Sequence, residues 1–260
     1  GVIYRPSNFS PDKSYPVIDQ SFIGHVSSAV ARSSFRTGAE LSYAEAAALA
    51  ELGFIVVQID GRGGLYRNKA FRDHSYGWKD IGCDIDDHVV GIKQLAERFP
   101  YMDVERVGIF GHVGGNGTLQ GLFRHPDFFK VGVAGEIFDN RLTTANWGDM
   151  YEGPVSDTNK KHLEDLVNNL KGKLLIMVGL LDFNPPAGSF RVIEALHKAN
   201  KDVDVIVEPN WGYSMTPYQL RRAWDYLVRH LQGNEPPKEY KINALSRPIT
   251  PKEFAKNLKD

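Results

Sequence analysis

Apolar positions along the chain gather into short runs separated by longer stretches in which apolar and polar residues recur at helical spacing. The runs at 15–23, 54–59, 107–110, 131–134, 173–178 and 203–207 lack a clean polar face, the pattern of strands buried on both sides. Helices are predicted over 43–52, with Ser42 as N-cap and Gly53 closing it, and from about 81 to 98, where Val89, Val90, Ile92, Leu95 and Ala96 fall near helical spacing. Further helices are expected at 118–124, 162–170, 188–199 and 217–231, the last with Pro217 in its first position. Strands alternating with helices specify an α/β fold, a mostly parallel central sheet with helices on both faces. Two long polar and aromatic loops, one reaching Trp78 and one spanning 136–158, interrupt the pattern, and loops of that length in a compact domain usually carry function. Ligands of such sheets bind beyond the carboxyl ends of the strands, which collects His25, Asp60, His112, Val113, Glu136, Asp182 and Trp211 at one rim.

Length and composition narrow the reading. The 260 residues suit one domain, placed at 1–242, followed by a surface tail at 243–260. With 31 basic and 32 acidic residues, no nucleic acid or anionic membrane is expected as a partner. The single cysteine, Cys83, excludes an intrachain disulfide, and no apolar run reaches the length of a membrane span. No signal peptide is visible, and the opening Gly1 is compatible with a removed presequence. No metal or other cofactor is expected: Asp84, Asp86, Asp87 and His88 read as a charged helix N-terminus, and the glycine-rich turn lacks the Lys-Ser/Thr ending of a phosphate loop.

The stretch 106–117, RVGIFGHVGGNG, runs from a buried strand through a tight turn into a helix. That is the setting of a nucleophile elbow, G-x-S-x-G, in an α/β-hydrolase. Here the pattern is Gly111-His112-Val113-Gly114-Gly115, with valine at the nucleophile position. An isopropyl group cannot attack a carbonyl. Together with Ile59-Asp60-Gly61-Arg62-Gly63, Arg124-His125-Pro126-Asp127, Gly179-Leu180-Leu181-Asp182 and Arg222-Ala223-Trp224-Asp225-Tyr226, this stretch resembles the C-terminal α/β-hydrolase domain of the prolyl oligopeptidase family. The dipeptidyl-peptidase-like and acylaminoacyl-peptidase-like members are most similar, over about residues 1–242.

The resemblance implies a Ser-His-Asp triad and a β-propeller ahead of the domain, and it leaves no propeller within these 260 residues. Position by position, it puts the serine at Val113 and the acid at Asp182. The histidine falls where Glu208-Pro209-Asn210 runs into Trp211-Gly212-Tyr213, so that Trp211 replaces it. The usual oxyanion turn is replaced by Phe22-Ile23-Gly24-His25-Val26, while Gly114 still offers a backbone N–H. These departures, with Glu136-Ile137-Phe138, Val178, Phe183 and Pro185-Pro186, sit on one rim, which reads as a rebuilt pocket rather than scattered decay.

Each rim residue has two readings. Asp182 without a histidine is a carboxylate satisfied by its own turn, or a base in an apolar pocket where Phe183, Val178 and Trp211 raise its pKa. Glu136 is a solvated loop residue or a functional carboxylate, and His25 belongs to the pocket or the surface. His112 is expected to be structural, and His88, His125, His162, His197 and His230 to be surface or structural. A β-branched residue at the elbow strains the turn, so relaxation is expected, with Gly114, Gly115 and Gly117 taking the unusual dihedrals. Cys83 is not expected to reach the rim, and Ser189 and Ser214 have no evident base. Asp182, His25 and Glu136 are thus the candidate catalytic groups, and His112, Val113, Gly114, Phe183, Trp211 and Tyr213 the pocket. The function expected is non-hydrolytic acid/base chemistry, such as elimination, isomerisation, cyclisation or proton transfer, on a small apolar or aromatic molecule. A non-catalytic binding protein and a residual peptidase or esterase are the rival readings.

Overall fold

The computed structural model describes residues 1–21, 30, 42–76, 84–111, 114–137, 162–182 and 186–242. Seven strands, β1 (Val2–Tyr4), β2 (Tyr15–Gln20), β3 (Ile55–Gln58), β4 (Met102–Gly111), β5 (Phe129–Gly135), β6 (Lys173–Gly179) and β7 (Asp204–Glu208), form one sheet in the order β1-β3-β2-β4-β5-β6-β7. Every pairing is parallel except that of β1 with β3. The connecting helices are α1 (Ser42–Glu51), α2 (Lys69–Arg72), α3 (Ile85–Arg98), α4 (Gly115–Arg124), α5 (Leu163–Leu166), α6 (Ala187–Lys198) and α7 (Pro217–Leu227).

Two apolar layers hold the sheet. On one face Val17, Ile55, Val57, Val107, Ile109, Leu174 and Ile176 meet Val89 and Ile92 of α3, Leu119, Leu122 and Phe123 of α4, and Val192, Ile193 and Leu196 of α6. On the other, Ile18, Val56, Phe110, Val131, Val133, Leu175 and Met177 meet Leu49 and Ala50 of α1 and Ala223, Trp224 and Leu227 of α7. Successive residues of one strand serve opposite layers, which is why the strand runs are apolar throughout. Each buried Leu, Ile or Phe contributes roughly 1.5–3 kcal/mol relative to exposure.

Where the elements differ from expectation, the causes are local. Three-residue β1 offers no period to read, and β4 begins five residues before the predicted run because Met102 and Asp103 pair with Tyr15 and Pro16. The expected helix at 162–170 divides into α5 and a 3₁₀ turn, Val167–Asn169. The last helix starts as predicted, with Pro217 behind the cap Thr216, which exchanges hydrogen bonds with Gln219. It is α-helical only to Leu227. A π-turn, Val228–Gln232, completes it and stops at Gly233, whose φ of 73° suits glycine.

The acid run opening α3 is partnered throughout. Asp86 receives Arg124 and His125, and Asp87 receives Arg62. His88, expected to be surface or structural, is a core residue: its Nδ1 lies 2.9–3.0 Å from both oxygens of Asp19 in β2, and its Nε2 lies 3.4 Å from Asp84. His88, Asp19 and Asp84 are 2%, 0% and 5% exposed. Burial alone would lower the His88 pKa, but the charge and hydrogen bond of Asp19, reinforced by Asp84, carry it well above 6.5. The imidazolium therefore ties α3 to the centre of the sheet.

A folded-state pKa raised in this way stabilises the fold fully below pH 6.5, and that stability is lost as the pH climbs through the folded value. His88→Ala, which leaves Asp19 buried and unpaired, is expected to cost about 3–5 kcal/mol in urea unfolding at pH 6. The gap from wild type should narrow as unfolding is repeated at higher pH.

Candidate functional site

The strand order turns back at β2, so β3 lies on one side and β4, β5, β6 and β7 on the other. A crevice opens beyond the carboxyl ends at such a reversal. The elbow fills it: β4 ends at Gly111, and α4 begins at Gly115 with Gly114 as its cap. Gly114 adopts φ 124° and ψ 32°, which only glycine takes readily, and its carbonyl accepts from the Gly117 N–H at 2.8 Å. Gly115 and Gly117 lie in the helix, so Gly114 alone of the three carries the unusual dihedrals. A side chain at Gly115 would sit 2.1 Å from the Gly135 carbonyl oxygen, so the elbow helix rides directly on the end of β5. His25, His112, Val113 and Phe183 lie outside the described residues.

Glu136 follows β5 immediately, and Asp182 follows β6 by three residues. The parallel register that pairs Gly135 with Met177 puts the two carboxylates on neighbouring strand ends. A small cavity joins them, lined by Glu136, Ile137, Met177, Val178, Gly179, Asp182, Pro186 and Ser189. Both Glu136 carboxylate oxygens are shielded from solvent. Burial, and then the negative charge of Asp182, push the Glu136 pKa up to about 9, so Glu136 is protonated at neutral pH. Glu136 also takes φ 47°, a left-handed backbone that a non-glycine residue holds only at a cost.

Tyr213 reaches the same place from the β7–α7 loop. Burial and the charges of Glu136 and Asp182 raise its hydroxyl pKa, so it remains a phenol across the working range. This loop is laced to the one carrying Asp182: Leu181 N–H donates to the Trp211 carbonyl at 2.9 Å, Leu180 N–H to that of Glu208 at 3.1 Å, and a side chain at Gly179 would strike the Gly212 carbonyl. Trp211, at 41% exposed, and Leu181, at 66%, lie open on these two loops, so Trp211 is not the buried wall expected of it.

Of the expected residues, the structure brings together Glu136, Asp182 and Tyr213, with Trp211 exposed on the loop that carries Tyr213 and Gly114 at the elbow. Ser189, in the first turn of α6, is only 2% exposed and shares the cavity with both carboxylates, so acids do stand beside it. Ser21 closes β2 beside the elbow, 5% exposed, its hydroxyl within 2.9 Å of where a Gly111 side chain would project. Neither serine carries a sequence signal beyond its place near a strand or helix end.

Residues 39–234 match the prolyl oligopeptidase family. The chain belongs to that family. It is 29% identical over 251 residues to human dipeptidyl peptidase 8, covering 90% of this chain and 27% of the relative. It is 36% identical over 248 residues to the probable dipeptidyl-aminopeptidase B of Uncinocarpus reesii, covering 88% and 26%. Among solved structures, Porphyromonas gingivalis dipeptidyl peptidase 4 superposes with a TM-score of 0.75 at 28% identity, covering 88% of this chain and 33% of that one. A putative dipeptidyl aminopeptidase IV from Bacteroides ovatus gives 0.74 at 27%, covering 89% and 33%. The chain thus spans about a quarter of the length of the curated relatives it matches and shares the peptidase-like α/β-hydrolase fold of the solved ones.

Backbone strain at Glu136 is measurable. Glu136→Gly removes both the left-handed penalty and the buried carboxyl, and is expected to raise stability by about 1 kcal/mol or more at pH 7, read as an increased midpoint in urea.

Proposed function

We propose that this prolyl oligopeptidase-family domain has given up serine hydrolysis for proton transfer on a small organic molecule, by elimination, isomerisation, cyclisation or enolisation. One observation carries the reading: two carboxylates line one cavity, and burial together with the charge of Asp182 keeps Glu136 protonated at neutral pH. A protonated and an ionised carboxyl side by side are an acid and a base held in one site. Glu136 donates a proton to the substrate's developing negative charge, and Asp182 takes one from carbon or oxygen. Tyr213, un-ionised beside them, holds the substrate by its phenol and orients the molecule. The valine at position 113 and tryptophan at 211 support the same reading, since the resemblance puts the family's serine and histidine there.

Purified protein, screened with ester and peptide substrates beside elimination and proton-transfer substrates, is expected to turn over one of the latter. Glu136→Gln and Asp182→Asn should each lower that rate by about 10²–10⁴-fold, the usual worth of a positioned acid or base. The wild-type rate should fall as the pH rises past about 9, where Glu136 gives up its proton. Ester hydrolysis blocked by a serine-directed reagent would contradict the proposal. Saturable binding with no turnover of any substrate would instead mark a non-catalytic binding protein.

A further inference from the structure

We propose that the outer face of α7 docks an extended acidic peptide segment, with carboxylates on alternate residues gripped by Arg221 and Arg222. Ala223, Trp224 and Leu227 turn the opposite side of the helix to the sheet. None of the docking residues lines the cavity of Glu136 and Asp182.

The face is built as a ladder of cations and rings. Tyr218, 46% exposed in the first turn of α7, is met by two guanidiniums, Arg221 at 5.3 Å and Arg222 at 5.7 Å from its ring centre. Arg222 also donates from Nη1 to the Tyr218 hydroxyl at 2.7 Å. Arg221 reaches on to Tyr240, 5.5 Å from that ring's centre. Arg5, Arg67 and Arg98 each rest on a single ring, and among the described residues only Tyr218 is shared by two arginines. A guanidinium stacked on a ring still presents a fork of N–H donors, and the ring holds the long side chain in place before any ligand arrives. Part of the entropy that an arginine gives up on gripping an anion is therefore already lost.

The anion is what the face lacks. Arg62, Arg106, Arg124, Arg191 and Arg229 each hold an Asp or Glu, whereas Arg221 and Arg222 meet no carboxylate among the described residues. Asp225 stands four residues beyond Arg221, the spacing of a helical ion pair, but it is 8% exposed and its Oδ1 accepts from the Tyr240 hydroxyl at 2.8 Å. The first turn of α7 holds no acid. The segment carrying Tyr240 adds Lys238 and Lys241, both exposed, against one acid, Glu239. A cationic face thus stands out on a chain whose formal charge is −1.

The spacing of the ladder selects the occupant. Side chains on one side of an extended strand recur about every 7 Å. Two carboxylates so placed reach the two cations that share Tyr218, each able to accept a guanidinium fork, and an apolar side chain two residues further meets Tyr240. A second copy docking by the same face would set arginine against arginine.

The test is fluorescence anisotropy of the full chain with the labelled peptide Ser-Glu-Ser-Glu-Ser-Leu, its glutamine counterpart and a labelled DNA duplex. The glutamate peptide is expected to bind about tenfold or more tightly than the glutamine one, and to weaken as salt is added. Replacing both arginines, Arg221→Gln with Arg222→Gln, should remove the preference while leaving the urea midpoint of unfolding within reach of wild type. Arg221→Lys with Arg222→Lys, which keeps the charge and loses the fork, should lower affinity about fivefold or more. Equal binding of the two peptides, a preference that survives the glutamine variant, or full affinity in the lysine variant overturns the proposal. Tighter binding of the duplex than of the glutamate peptide overturns it in favour of a nucleic-acid face.

Discussion

Two carboxyl groups brought to neighbouring strand ends, one of them shielded from water, set the terms for this molecule. Glu136 and Asp182 each follow a strand of the same parallel pair, so the register of β5 on β6 fixes how near they stand. A rise of the Glu136 pKa from 4.5 to about 9 means that ionising it in place costs on the order of 6 kcal/mol more than in water. The linkage runs against the fold: the raised value leaves stability complete below pH 4.5 and withdraws it as the pH rises towards 9. At neutral pH the protein carries part of that cost, together with the left-handed backbone at Glu136.

The remainder of the structure supplies what such a pair needs to persist. The sheet between two apolar layers is stiff enough to hold the carboxyl ends of its strands in place. The buried His88–Asp19–Asp84 cluster anchors α3 to β2 with opposite charges that satisfy each other. Backbone hydrogen bonds between the Leu180–Leu181 and Glu208–Trp211 segments tie the loop carrying Asp182 to the loop carrying Tyr213. Membership of the prolyl oligopeptidase family accounts for the scaffold.

Much of this was legible in the sequence. The strand runs gave the layers because residues buried on both faces leave no polar alternation, and Gly53 and the Thr216–Pro217 cap marked helix ends by backbone chemistry that the chain cannot avoid. Glu136 and Asp182 were each visible as carboxylates at strand ends. Their partnership was not, because it depends on which strands are neighbours, and the strand order is a tertiary fact. The same reason hid His88, whose partner Asp19 is 69 residues away on a strand that reads as apolar. Ser189 was passed over for want of a base, and the base comes from two other loops. Strand β1 is too short to carry a period at all.

The central claim is that Glu136 keeps its proton because it is buried, with the charge of Asp182 beside it adding to the effect. Carbon-detected NMR of the Glu136 side-chain carboxyl, titrated from pH 4 to 11 in wild type and in Asp182→Asn, reads this directly. The account predicts a midpoint near 9 in the wild type and a lower one in the variant. A wild-type midpoint near 4.5, or one that Asp182→Asn leaves unmoved, would contradict it.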